Sequence, residues 1–205
     1  PDWLEVSSAQ PVLACLASQY AGWSLGSALS FGLNDTASSG KTLRGKGLSV
    51  QYGDARWIGV GSFNDYLSDP WEDGGRQRQT HNYFKSALVL YDFGPLAASL
   101  NWQRQDVDYS ETPSMTAWTL GISAPVGKAD VARLSLIKRD IDAGDKDAFG
   151  MMLGYDHFLR PNWAVYARVA LIDNRPESSV SYAGIPVEQA GDNPQNVAIG
   201  MYYHF

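Results

Sequence analysis

The chain has 205 residues, of which 44% are hydrophobic and 19% are charged, and its net charge at pH 7 is -6. This length suits one domain with a sizeable interior. The acidic balance excludes the basic stripe that phosphate backbones need, so we expect no nucleic-acid partner. Cys15 is the single cysteine and no cysteine–histidine cluster occurs, so we expect no internal disulfide, no metal site and no cofactor.

The N-terminal segment, residues 1–19, shows no clear pattern and stays unassigned. It starts with Pro1 and contains neither a basic segment nor a cleavage site, so either a secretory signal was removed or the chain is a fragment. Its longest apolar run, Gln10–Leu16, is shorter than the roughly 20 residues that a helix needs to cross a bilayer. Any membrane-spanning role must therefore be carried by strands.

The remainder, residues 20–205, is assigned to one domain of short alternating runs, which are typical of half-exposed β-strands. Each run is close to the length that crosses a bilayer when the strand is tilted. The pattern predicts about ten strands, at Trp23–Phe31, Gly47–Tyr52, Arg56–Phe63, Tyr83–Phe93, Ala97–Gln105, Thr116–Ala124, Val131–Arg139, Ala148–Phe158, Trp163–Ile172 and Asn196–Phe205.

The connections between these strands alternate in length. Brief turns rich in Gly, Pro, Asn or Asp lie at 53–54, 92–95, 125–128 and 159–162. Between them fall longer, mostly acidic loops at 33–46, 64–82, 106–115, 140–147 and 173–195. Short turns on one side of a membrane and long loops on the other are typical of outer-membrane barrels. A soluble sandwich has no reason to follow this alternation.

The last strand has one strongly apolar face. Counting back from the terminal Phe205, every second residue is large and apolar, and the intervening residues are small or polar. Aromatic residues also lie near strand ends, where they suit the two membrane interfaces: Trp23, Trp57, Trp118, Tyr155, Trp163, Tyr203 and Phe205. The sequence therefore predicts an all-β fold, a transmembrane antiparallel up-and-down β-barrel.

Strand arginines are expected to point into the barrel, because an arginine on the lipid face costs roughly 2 to 4 kcal/mol at mid-membrane. Alternation places Arg133, Arg139 and Arg168 inside, and Lys85 and Arg56 are added as further pore-lining candidates. These cations predict a mild anion preference, although the arginines could equally pair with inward acids such as Asp156.

Three segments resemble general porins of the β-proteobacterial type. They are the Gly154-Tyr155-Asp156 strand with the hairpin that follows it to Ala167, the turn Leu90–Leu96, and the ending Ile199–Phe205. The resemblance covers about Tyr20 to Phe205. It implies outer-membrane trimers of barrels with about 16 strands, each an aqueous channel for passive diffusion of small hydrophilic solutes and ions. Lipid and lipopolysaccharide are the other implied partners. The strands visible here would correspond to the C-terminal part of such a barrel.

Two functions other than a channel are also compatible with parts of the sequence. An outer-membrane barrel enzyme with a rim active site could use His81 with a nearby acid such as Asp65, although no serine has the context of a nucleophile. A soluble β-sandwich binding module would remain in solution without detergent. The run Asp140–Asp147 resembles a calcium-binding loop in composition, but it lacks the bidentate Glu that an EF-hand requires. We expect no enzymatic activity.

Overall fold

The computed structural model describes residues 12–16, 21–32, 42–67, 71–73, 76–78, 80–108, 113–182 and 187–203. Their regular structure is β-strand throughout, and none of their segments is a helix long and apolar enough to cross a membrane. The strands are β1 (Val12–Leu16), β2 (Trp23–Gly32), β3 (Thr42–Gly53), β4 (Trp57–Leu67), β5 (Trp71–Asp73), β6 (Arg76–Arg78), β7 (His81–Asp92), β8 (Ala97–Val107), β9 (Met115–Val126), β10 (Asp130–Ile141), β11 (Ala148–Arg160), β12 (Trp163–Asn174) and β13 (Gln195–Tyr203).

Eleven of these strands form one antiparallel sheet in which each strand pairs with its neighbour in the sequence. The order runs from β1 to β4 and from β7 to β13, and the small hairpin β5–β6 is inserted between the paired strands β4 and β7. This is the predicted up-and-down meander, so the all-β, antiparallel fold class is confirmed. Strand β1 lies within the segment that the sequence left unassigned, and it extends the sheet by pairing with β2.

Short and long connections alternate as predicted. The turns at 54–56, 93–96, 127–129 and 161–162 are brief, whereas the last connection spans 175–194. Most strands reach further towards the long connections than the sequence indicated: β4 continues to Leu67 and β10 to Ile141. The prediction ended these strands too early because apolar alternation stops at the edge of the hydrophobic layer, while backbone pairing continues beyond it.

One face of the sheet is apolar and exposed. In β13, Val197, Ile199 and Met201 are 71%, 82% and 60% exposed, and their cross-strand partners in β12 are Val169, Ala167 and Val165. Among the described residues, the only buried apolar side chains are Ala148, Ala164 and Ala170. A soluble sandwich would bury the large apolar residues between two sheets. This sheet presents them outwards, as the wall of a barrel does in lipid.

Candidate functional site

The face opposite the apolar one is lined mostly by small and polar side chains. Directly opposed residues of paired strands share a face, so the register identifies this polar wall strand by strand. Its members include Ser62 and Ser86, whose hydroxyls are 2.8 Å apart, and Asn101 opposite Thr119. We call this surface the polar wall and the other the lipid face.

An ion cluster lies on the polar wall where β10, β11 and β12 meet. Asp156 is fully buried, and its carboxylate accepts from Arg133 Nε at 2.6 Å and also from Arg168 Nη2. Arg168 donates further to the backbone oxygens of Tyr155 and Ala167, each at 3.0 Å. Both arginines and the acid that the sequence analysis offered as their partner are therefore held together as one cluster.

Glycines next to this cluster let long side chains lie flat against the wall. A Cβ at Gly154 would be 2.8 Å from Cδ of Arg168, and a Cβ at Gly200 would collide with the Tyr166 hydroxyl. The guanidinium of Arg168 in turn lies 4.9 Å from the centre of the Tyr166 ring, within cation–π range. The side chains therefore follow the wall, and the space in front of it stays open.

Arg139 is the third cation on the polar wall, but its environment differs. Its Nε donates to Met115 Sδ at 3.0 Å, which is a weak acceptor. No carboxylate of the described residues lies within 4 Å of its guanidinium. Over β9 to β12 the wall thus carries Arg133, Arg139 and Arg168 against Asp156.

Two of the proposed pore-lining residues lie elsewhere. Lys85 shares the face of Ala87 and Val89, so it is on the lipid face and not on the polar wall. The prediction was wrong because residues 87–90 are apolar on both faces, which leaves the alternation of β7 ambiguous. Arg56 is exposed in the turn before β4, outside the strand to which the sequence assigned it.

Aromatic side chains form two rings on the lipid face. At the short-turn end, Trp23 packs on Tyr52 with ring centres 5.0 Å apart, Trp57 on Tyr91 at 4.5 Å and Trp163 on Tyr203 at 5.5 Å, and Tyr155 lies at the same end. At the long-loop end, Trp118 packs near Trp102 and Phe63 near Tyr83, both at 6.4 Å. Phe205 lies outside the described residues. Sequence reasoning missed Tyr52, Tyr91, Phe63 and Tyr83.

The distance between the rings fits a membrane. Tyr83 and Tyr91 lie on one strand and belong to opposite rings, and eight residues at ~3.3 Å each separate them by roughly 26 Å along the strand. A tilt of about 40° reduces this to about 20 Å, close to the ~25 Å apolar band of outer-membrane barrels. The positions of the rings therefore define which part of the sheet lies in lipid.

Charged residues on the lipid face lie towards its ends, at the level of the aromatic rings: Lys85 is opposite Phe63 and Asp65 is opposite Tyr83. Towards the long loops, Asp65 accepts from Lys46 at 3.1 Å and contacts His81 Nδ1 at 2.9 Å. Nearby, Asp106 is bound by Lys85 at 3.2 Å and by Arg104 at 2.8 Å. The Asp65–His81 pair that the sequence suggested as a rim catalytic site thus exists, and Lys46 occupies the other carboxylate oxygen.

The acidic run Asp140–Asp147 is used for structure. Asp147 accepts from the backbone N–H of Ile141 at 3.0 Å, and Asp140 pairs with Lys138 at 2.8 Å. Among the described residues, no group of three or more acidic, histidine or cysteine side chains converges as a metal site would require. The absence of a metal therefore remains an expectation from the sequence.

Comparison with known proteins agrees with this geometry. The family model described as Gram-negative porin matches residues 17–177. The chain belongs to the Gram-negative porin family. Its members reside in the bacterial outer membrane, which is therefore the location of this chain. The resemblance that the sequence suggested is confirmed.

Individual relatives of this porin are partial matches. Outer membrane porin protein 32 of Delftia acidovorans is 30% identical over 123 residues, which are 56% of this chain and 34% of that protein. The anion-selective porin from Comamonas acidovorans superposes with a TM-score of 0.81 at 24% identity, over 95% of this chain and 59% of that one. OmpT of Vibrio cholerae, in its trimer form, gives 0.68 at 12% identity, over 94% and 64%. The chain thus spans about a third to two thirds of these proteins.

Proposed function

We propose that this chain forms the wall of a water-filled outer-membrane channel through which small hydrophilic solutes and ions diffuse passively. The observation that carries the proposal is the pairing of one apolar face, bounded by two aromatic rings, with a polar wall on the other side of the same strands. Such a channel needs no catalytic group, because wall charge and pore width alone select what passes. We accordingly assign no enzymatic activity to the chain.

The polar wall favours anions in this proposal. Arg133 and Arg168 share one carboxylate, and Arg139 has no acidic partner among the described residues, so the wall carries excess positive charge. The acidic residues that make the whole chain negative lie largely towards the long loops. Excess cations on the wall raise the local concentration of anions in the pore.

The rim charges on the lipid face suit contact with phosphorylated lipid. Lys46, Lys85 and Arg104 lie level with the aromatic ring at the long-loop end, which is the outer leaflet if the short turns face the periplasm. We propose that these cationic side chains contact lipopolysaccharide. In this proposal the Asp65–His81 pair orders the side chains at the rim and does not activate water. A homotrimer, as in the trimer form described for the Vibrio protein, is the proposed assembly.

A planar-bilayer recording tests the channel function. The full chain, refolded in detergent, is expected to give stepwise conductance with a reversal potential that indicates anion preference in a salt gradient. A folded, heat-modifiable protein without conductance would contradict the proposal, and a clearly cation-selective channel would contradict its wall charges.

A matched pair of variants assigns the selectivity to the polar wall. Arg139→Gln removes a cation from the wall and is expected to lower the anion preference. Lys85→Gln removes a cation from the lipid face and is expected to leave the reversal potential unchanged. Equal shifts in the two variants would show that selectivity arises from overall charge and not from the wall.

A further inference from the structure

A hollow of about 570 Å³ lies on the polar wall beneath the last long connection. Its floor is formed by β10 to β13, and its roof by residues 180–182 of the connection between β12 and β13. This volume is in the range of sites that hold small organic ligands, roughly 300 to 1,000 Å³. The ion cluster at Asp156 lies outside the hollow except for Arg168.

The roof is held in place by one buried side chain. Asn174 donates from Nδ2 to the backbone oxygens of Val180 and Asp192, at 2.9 Å and 2.7 Å. Its Oδ1 accepts from the Ser178 hydroxyl at 2.8 Å and from the N–H of Val180 at 3.2 Å. All four bonds join the end of β12 to the connection that follows it. The hollow is therefore formed before any ligand arrives.

The lining of the hollow is largely apolar. Ile137, Met152, Ile172 and Val180 all line it. Ile137 is 43% exposed, so apolar surface here is in contact with water. An apolar group that covers it would gain roughly 25 cal/mol for each Å² removed from water.

The polar groups of the hollow favour a negative ligand. Arg139 lines it with a guanidinium that no described carboxylate neutralises, and a guanidinium binds carboxylates with two parallel hydrogen bonds. Among the described residues the enclosed Tyr182 hydroxyl has no hydrogen-bond partner, and burial raises its pKa, so the roof adds no negative charge. The hollow thus combines an apolar floor with an anchor for an anion.

We propose that this hollow binds organic monocarboxylates with an apolar body, such as aromatic carboxylates, with the carboxylate on Arg139 and the body over Ile137 and Ile172. The inference deepens the proposed channel function by naming a class of solute that is retained at the wall. Chloride and acetate lack the apolar body, and a neutral alcohol lacks the charge. All three should therefore bind to the hollow more weakly than an aromatic carboxylate.

Binding of benzoate to the full chain folded in detergent tests the site without reference to conductance. Saturation-transfer NMR should detect saturable binding beyond that to empty micelles, and acetate and benzyl alcohol should bind at least tenfold more weakly. Arg139→Gln should weaken benzoate at least tenfold. Arg56→Gln removes the same charge from the exposed turn before β4, outside the hollow, and it should change benzoate binding less than twofold.

A second variant keeps the charge and removes the apolar floor. Ile137→Ser should weaken benzoate severalfold and leave acetate unchanged. The proposal is wrong if Arg139→Gln binds benzoate like the unaltered chain, if Arg56→Gln weakens it equally, or if acetate binds as well as benzoate. Conductance without benzoate binding would contradict the binding site and support the channel. Benzoate binding without conductance would contradict the channel and support the binding site.

Discussion

Three carboxylates among the described residues are each held between two basic side chains, yet they lie on opposite faces of the sheet. Asp156 is on the polar wall between Arg133 and Arg168, next to Tyr155 of the ring at the short-turn end. Asp65 and Asp106 are on the lipid face, at its long-loop end. On the lipid face both carboxylates thus lie at the level of an aromatic ring, whereas the carboxylate on the polar wall is fully buried.

The difference shows which constraint places charge in this fold. An unpaired charge on the lipid face is expensive at mid-membrane and costs little near the interface. On the polar wall the cost is set instead by what surrounds the group, and Asp156 is fully buried beneath its two arginines. The ion cluster on the polar wall is a structural element, whereas the pairs at the long-loop end of the lipid face belong to a hydrated layer.

Removal of the buried carboxylate should have the largest effect on stability. Asp156→Ala leaves two arginines without their shared counter-ion, and breaking a buried ion pair in this way costs about 3 to 5 kcal/mol. We expect a loss of about 3 kcal/mol in the free energy of unfolding, measured by urea titration in detergent. Asp156→Asn keeps the size and one acceptor oxygen and should lose less. A loss below about 1 kcal/mol would show that the inner cluster behaves like a rim pair.

A charge introduced on either face tests the assignment of the faces directly. Leu100 lies on the lipid face between Val89 and Leu120, and Leu100→Arg should cost roughly 2 to 4 kcal/mol near the middle of the band. Asn101 is its neighbour on the polar wall, and Asn101→Arg should cost less than about 1 kcal/mol. Comparable losses in urea unfolding of vesicle-embedded protein would mean that the faces are assigned incorrectly.

Much of this arrangement could be predicted from the sequence, because alternation is strict in most strands. The positions of Arg133, Arg139 and Arg168 followed from apolar neighbours at every second residue. Lys85 was misplaced where four consecutive apolar residues remove the alternation. The hollow could not be predicted, since its roof depends on four hydrogen bonds from Asn174 to a connection without any periodic pattern.

A rim carboxylate should matter less than the inner one. Asp106→Asn weakens the contacts with Lys85 and Arg104, which are partly exposed, and such pairs contribute about 0 to 1 kcal/mol. We expect a decrease of about 0.5 kcal/mol in the free energy of unfolding, within the range for exposed pairs, and a further reduction of the effect at high salt. A loss as large as that of Asp156→Ala, insensitive to salt, would erase the contrast between the two faces.

The smallest effect is expected at the short-turn end, where a single carboxylate shapes the turn between β3 and β4. The backbone N–H groups of Arg56 and Trp57 both donate to Asp54 at 2.8 Å, and these bonds lower the pKa of its carboxyl group. A pKa that is lower in the folded state stabilises the fold above the ordinary value near 4 and loses this contribution as the pH falls through the lowered value. Asp54→Ala should therefore lower the urea midpoint slightly at pH 7, and the gap should narrow at pH 3. A gap that is equal at both values would mean that the turn does not depend on the charged form of Asp54.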